Sequence, residues 1–167
     1  MRSGAADLTK TGGNQPHIVI PHSYADHEFA HKLAGAFRHD RVTPWIDDVE
    51  MTAGGFLVNR ILQAARPVDC VVPAISAASV AASWVQHDLR TVMARSFSGR
   101  RVRVLTARID DCVLPDFLAS QPYFDFHRYG WSAAYDELLI AVHQHMSAKP
   151  APSAQPGLRL PRPARLT

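Results

Sequence analysis

Trp84 and Asp88 stand four residues apart in the run Ser83-Trp84-Val85-Gln86-His87-Asp88-Leu89. On a helix that spacing puts both side chains on one face. An aromatic wall beside a carboxylate, close to the end of a strand, suits a small-molecule site. The same pair also reads as a buried Trp beside a solvated Asp. Two further groups carry polar chemistry. His22-Ser23-Tyr24-Ala25 forms a polar turn between a strand and a helix, where α/β folds place anionic and nucleotide ligands. Asp47, Asp48 and Glu50 put three carboxylates within four residues. Their spacing matches no calcium loop, so no metal is expected.

The elements that must position these residues are legible from apolar spacing. Residues 17–20 are a β-branched run stopped by Pro21, a first strand. Asp26 is placed to cap a helix whose apolar face is Phe29, Leu33, Ala36 and Phe37. Residues 42–46 make a second strand, and Pro44 assigns it to a sheet edge because proline cannot donate to a ladder. An acidic, glycine-ended loop over 47–55 leads to a helix turning Phe56, Leu57, Ile61, Leu62 and Ala65 inward. Residues 68–76 are a third strand, in which Pro73 calls for a bulge or an early end. Ser83 is a good N-cap for the next helix, to about Ser98, with Val85, Leu89, Val92 and Met93 at helical spacing. Residues 101–109 alternate as a fourth strand and 123–126 make a fifth. Between them lie a loop over 110–115 and a helical turn over 116–120. A final helix over 131–145 turns Tyr135, Leu138, Leu139 and Val142 inward.

Strands and helices alternate with short connections, which calls for a parallel sheet covered on both faces. The expected fold is α/β: a flavodoxin-like three-layer sandwich whose five-stranded parallel sheet has the order 2-1-3-4-5. Ligands then bind at the carboxyl ends of strands 1 and 3. Strand 1 ends at His22-Ser23-Tyr24 and strand 3 delivers the chain to Trp84 and Asp88, so the two stretches should face one crevice.

The chain of 167 residues, 47% hydrophobic, is long enough for one domain with a sizeable core. That domain is expected over residues 16–146. Residues 1–15 lack apolar periodicity. Residues 147–167 hold five of the twelve prolines, with Arg159, Arg162 and Arg165. Both read as disordered tails. The formal charge is +3, and three positive charges fall in residues 157–167 of the C-terminal tail, so the domain itself is near neutral. Arg100, Arg101 and Arg103 have no interleaved aromatics and read as a solvated loop, so no specific nucleic acid partner is expected. Cys70 and Cys112 are isolated thiols, expected to be free. No apolar run approaches a membrane span, and the N-terminus has no export-type hydrophobic region. A cytoplasmic protein without a membrane partner is expected.

Four stretches together resemble the signature boxes of a Toll/interleukin-1 receptor (TIR) domain of bacterial type. They are Val19-Ile20-Pro21-His22-Ser23-Tyr24-Ala25-Asp26, Trp45-Ile46-Asp47 through Gly54, Ser76 through Leu89, and Arg108-Ile109-Asp110-Asp111-Cys112-Val113-Leu114-Pro115. The resemblance covers about residues 17–145 and implies the flavodoxin-like fold. It implies one of two functions. Some TIR domains hydrolyse NAD at the nicotinamide–ribose bond, in antiphage defence or as effectors; others are protein–protein interaction modules in signal transduction. The matching positions imply a catalytic role for Asp88, where the family has glutamate in a Trp-x-x-x-Glu box. They imply substrate contacts for Ser23 and Tyr24, a closing loop at Val49 and Glu50, and a flanking wall at Trp84. NAD is the substrate, and no cofactor is implied. Self-association or binding to other TIR domains is implied, through the loop 47–55 and the helix from Ser83.

The carboxylate has a physical purpose in such a reaction. Nicotinamide leaves as a neutral group while the ribose becomes oxocarbenium-like, and a fixed negative charge beside the sugar stabilises that cation. The leaving pyridinium needs no general acid. Here the acid is shorter by one methylene, which withdraws the carboxylate by about 1.5 Å. Pro21 and Pro73 also stand where the family usually has other strand residues. His87 points about 100° around the helix from Asp88 and does not replace it. His22 reads as structural. A flavin binder or phospho-receiver is disfavoured, since strand 1 is followed by no Ser/Thr-rich phosphate loop and the receiver's acidic pair and lysine are missing.

Overall fold

The computed structural model describes residues 15–46, 56–97 and 100–148. Strand β1 is His17–Val19, followed by a 3₁₀ turn at Tyr24–Asp26 and helix α1, His27–His39. Strand β2 is Thr43–Trp45 and helix α2 is Phe56–Gln63. The third strand position holds two pieces, β3 (Cys70–Val71) and β4 (Ala74–Ile75). A π-helical turn at Trp84–Asp88 runs into α3, Leu89–Ala94. Two short strands, β5 (Ser96–Phe97) and β6 (Arg100–Arg101), pair antiparallel. The fourth position is again two pieces, β7 (Arg103–Val104) and β8 (Thr106–Arg108). Helix α4 (Asp116–Ala119), strand β9 (Tyr123–Asp125), helix α5 (Phe126–Tyr129) and helix α6 (Trp131–Ala148) complete the order.

Two parallel ladders, β2-β1-β3-β7 and β4-β8-β9, make the sheet. They are continuous through the interruptions. The amide of Val72 donates to the Val19 carbonyl at 2.8 Å and that of Ala74 to Pro21 at 2.9 Å. Across the next interval, Leu105 donates to Val71 and Ala107 to Pro73, both at 2.9 Å. The result is the expected order 2-1-3-4-5, with β2 at the edge where Pro44 predicts it. Pro73 has no N–H to give, and the strand is interrupted there, ending early at Val71; the ladder nonetheless keeps step, since Val72 and Ala74 donate to Val19 and Pro21, two residues on in both chains.

Alternation along β1 sends neighbouring residues to opposite faces. Ile18 and Ile20 join Leu33, Phe37, Leu138 and Val142 beneath α1 and α6. Val19 joins Leu57, Ile61, Val71, Trp84 and Leu89 beneath α2 and α3. Phe37 and Leu138 are wholly buried; removing a side chain of this size from water is worth about 1.5–3 kcal/mol. The three-layer architecture therefore follows from two apolar faces on one sheet.

Several local expectations are corrected. Leu62 is 52% exposed and Ala65 lies beyond α2, so the buried stripe is Leu57, Val58 and Ile61. The helix after Ser83 stops at Ala94, and an antiparallel pair occupies part of the stretch assigned to its end. The fifth strand ends at Asp125, whose carboxylate accepts the Arg128 amide and starts α5. Among the described residues, no helix is long and apolar enough to cross a membrane.

Candidate functional site at the carboxyl ends of the first strands

The turn after β1 and the turn before α3 meet. Trp84 is 2% exposed, and its Nε1 donates to Ser23 Oγ at 3.3 Å. One hydrogen bond thus joins the two stretches expected to share a crevice. His22 is buried, with Nδ1 2.9 Å from the Ile20 carbonyl, a structural placement. Tyr24 is mostly exposed and stacks on His27, ring centroids 5.1 Å apart. Val49 and Glu50 lie outside the described residues.

Ser83 does not cap the helix. Its backbone is already helical, and its side chain makes no capping bond. The chain is wound one turn earlier: the amides of Val85 and Gln86 both donate to the Ala82 carbonyl, and Gln86 Nε2 donates to the Val80 carbonyl at 2.8 Å. The following π turn adds a residue to the local repeat, a distortion common at functional sites. Asp88 closes that turn at 3% exposure, which excludes the solvated reading. Its Oδ2 accepts the Leu57 amide at 3.2 Å. Leu57 is the second residue of α2, so Asp88 satisfies an amide that the helix itself leaves without an acceptor, at the positive end of its dipole.

Leu57 also lines a narrow cleft with room for about one water molecule. The other walls are Val19, Ile20 and Pro21 at the end of β1, Trp45 at the end of β2, and Phe56 and Arg60 on α2. Asp88 is not among those walls and meets the cleft through the Leu57 backbone. The Arg60 guanidinium lies 4.9 Å from the Phe56 ring centroid and 5.5 Å from that of Trp45. The sequence reading missed Trp45, Phe56 and Arg60 as cleft residues. A signal existed: Phe56 and Arg60 are four apart on one helix face.

A second polar cluster braces the turn from behind. Asp26 stands at the N-cap of α1 but makes no capping bond; its Oδ2 accepts Ser76 Oγ at 2.6 Å instead. Burial pushes the Asp26 carboxyl up, the Ser76 hydroxyl opposes, and the Asp110 charge adds to the rise. For Asp110, burial also pushes upward. The amides of Ala77 and Cys112, at 2.8 and 2.9 Å, together with Arg108, outweigh it and hold the carboxyl below its ordinary value. Burial, reinforced by Asp110, pushes the Cys112 thiol up to about 12.

The architecture is that of a parallel α/β domain with its cleft at the carboxyl ends of the first two strands, bounded by α2, the helix whose second amide Asp88 holds. A model of the TIR domain family matches residues 18–139, a span that contains the cleft residues, Ser23, Trp84 and Asp88. The chain belongs to the TIR domain family. No curated protein matches its sequence. Members of this family act in signal transduction and generally associate with one another.

Proposed function

We propose that this TIR domain hydrolyses NAD at the nicotinamide–ribose bond, with Asp88 as the catalytic carboxylate, in bacterial defence or signalling. The observation that carries the reading is the Asp88–Leu57 bond, which ties a buried carboxylate to the backbone of a residue lining an aromatic-walled cleft. Rings such as Phe56 and Trp45 suit the face of a pyridinium. The C1′–N bond breaks with its electron pair passing to nicotinamide, which leaves neutral. The oxocarbenium-like ribose is stabilised by the nearby negative charge. Water adds its oxygen to C1′ and releases a proton, giving ADP-ribose. Ser23, Tyr24 and Trp84 flank the ribose, and the family resemblance assigns substrate contacts to Val49 and Glu50 as well. The setting follows from the family resemblance.

A second reading, an interaction module without catalysis, is favoured by one feature. Asp88 is 3% exposed and holds the start of α2, a structural task that needs no substrate. The two readings part on NAD consumption at high protein concentration with a crowding agent, for the native protein and Asp88→Glu side by side. Loss of NAD in both supports the enzyme. Loss in Asp88→Glu alone describes a disarmed relative with an intact cleft. Silence in both supports the interaction module.

A further inference from the structure

We infer that a cavity at the amino ends of the fourth and fifth strands binds a small phosphorylated molecule, with Arg101 and Arg103 as its phosphate contacts. The inference does not rest on the NAD reading, because in a parallel sheet this site lies at the other end from the cleft. Arg101 ends β6 and Arg103 begins β7. Both are exposed, whereas Val102 between them is buried and Val104 packs with it beneath α2 and α3. The cluster that reads as a solvated loop in sequence therefore stands on strands. A two-residue step along a strand sets the two arginines about 6–7 Å apart on one side. They line a cavity of about 290 Å³. Val102, Val104 and Met93, near the end of α3, supply its apolar surface. Gln121, ahead of β9, and His145, in the last turn of α6, supply polar groups. Separate segments of chain thus border a concave site, not a flat basic strip. Among the described residues no carboxylate lines it, and neither arginine side chain is ion-paired. Each guanidinium presents a planar fork of N–H donors that matches phosphate oxygens. Two forks at this spacing can hold neighbouring phosphates of one ligand. The volume is near the lower end for ligand sites and suits a small molecule.

Inorganic pyrophosphate is the probe, titrated calorimetrically into the full chain at fixed ionic strength. The native protein is expected to bind it with a dissociation constant below about 1 mM. Arg101→Met and Arg103→Met should each weaken binding about tenfold or more, as loss of one charge-assisted contact predicts. The corresponding Lys variants should keep part of the affinity. Arg128→Met, on α5, should bind as the native protein does. Should a Met variant fold poorly, phenylglyoxal labelling of the native chain, read by mass spectrometry, asks the same question. Pyrophosphate should slow modification of Arg101 and Arg103 and leave that of Arg128 unchanged. No native binding up to about 10 mM overturns the assignment. So do Arg101 and Arg103 variants that bind like the native protein, or labelling slowed at all three arginines alike. Changing Arg159, Arg162 and Arg165 together to Gln should leave binding intact; loss confined to that variant would move the site to the C-terminal stretch and overturn the assignment. A thymidine oligonucleotide that binds through Arg101 and Arg103 where pyrophosphate does not would make the surface a nucleic-acid contact and equally overturn it.

Discussion

Replacing Asp88 separates what its carboxylate does for the fold from what it does for chemistry. In Asp88→Ala the Leu57 amide loses its acceptor inside a residue that is 1% exposed. An unsatisfied buried donor costs about 1–3 kcal/mol. For a domain of this size each kcal/mol lowers the melting temperature by about 2–4 °C, so a fall of about 2–12 °C is expected. Asp88→Asn keeps the shape and an oxygen able to accept the same amide, and loses only the charge at the start of α2. That charge is worth about 0.3–1 kcal/mol, a fall of no more than about 4 °C. Thermal unfolding followed by circular dichroism at pH 7 reads both. The Asn variant should sit between the native protein and the Ala variant in stability, yet share the Ala variant's loss of NAD cleavage. An Asp88→Ala protein melting with the native one would refute the argument that Asp88 holds α2. So would an Asn variant less stable than the Ala variant.

Ser23→Ala leaves the Trp84 indole N–H without its acceptor and should cost about 0.5–1.5 kcal/mol. A double-mutant cycle with Trp84→Phe in chemical denaturation should reveal coupling, whereas strict additivity would deny the contact. Cys112, with its thiol pushed up to about 12, should resist iodoacetamide at pH 7.5 in the folded protein and react once denaturant is added; mass spectrometry of the alkylated chain decides. The Asp26 carboxyl is raised above its ordinary 3.8, so in that interval the folded state binds more protons than the unfolded one. Stability contributed by this group is therefore lost as pH rises through the window. Asp26→Asn should melt above the native protein at pH 7 and lose that advantage below about pH 4; a gain that persists in acid would contradict the sign.

The sheet order was readable because residues 17–20, 68–76 and 101–109 carry apolar runs between helical repeats, and Pro44 marks an edge in any context. Pro73 announced the early end of a strand piece by lacking an N–H. The π turn left no such mark, since an extra residue in one helical turn changes hydrogen-bond register without changing apolar spacing. Asp26 and Ser83 are capping residue types in sequence, yet Asp26 bonds Ser76, fifty residues away, and Ser83 falls inside a helix already begun at Ala82. Asp88 could be placed beside Trp84 by spacing alone. Its burial depends on a backbone amide of α2, and backbone partners have no sequence identity to read. Trp45, Phe56 and Arg60 form the cleft from a strand end and a helix, so only assembly of the sheet brings them together.

Nicotinamide release from NAD by the native chain and by Asp88→Ala, at matched high concentration with a crowding agent and followed by chromatography, tests the central claim most directly. The account predicts release by the native protein and none above background by the variant. Equal release from both would take Asp88 out of the chemistry and contradict the account.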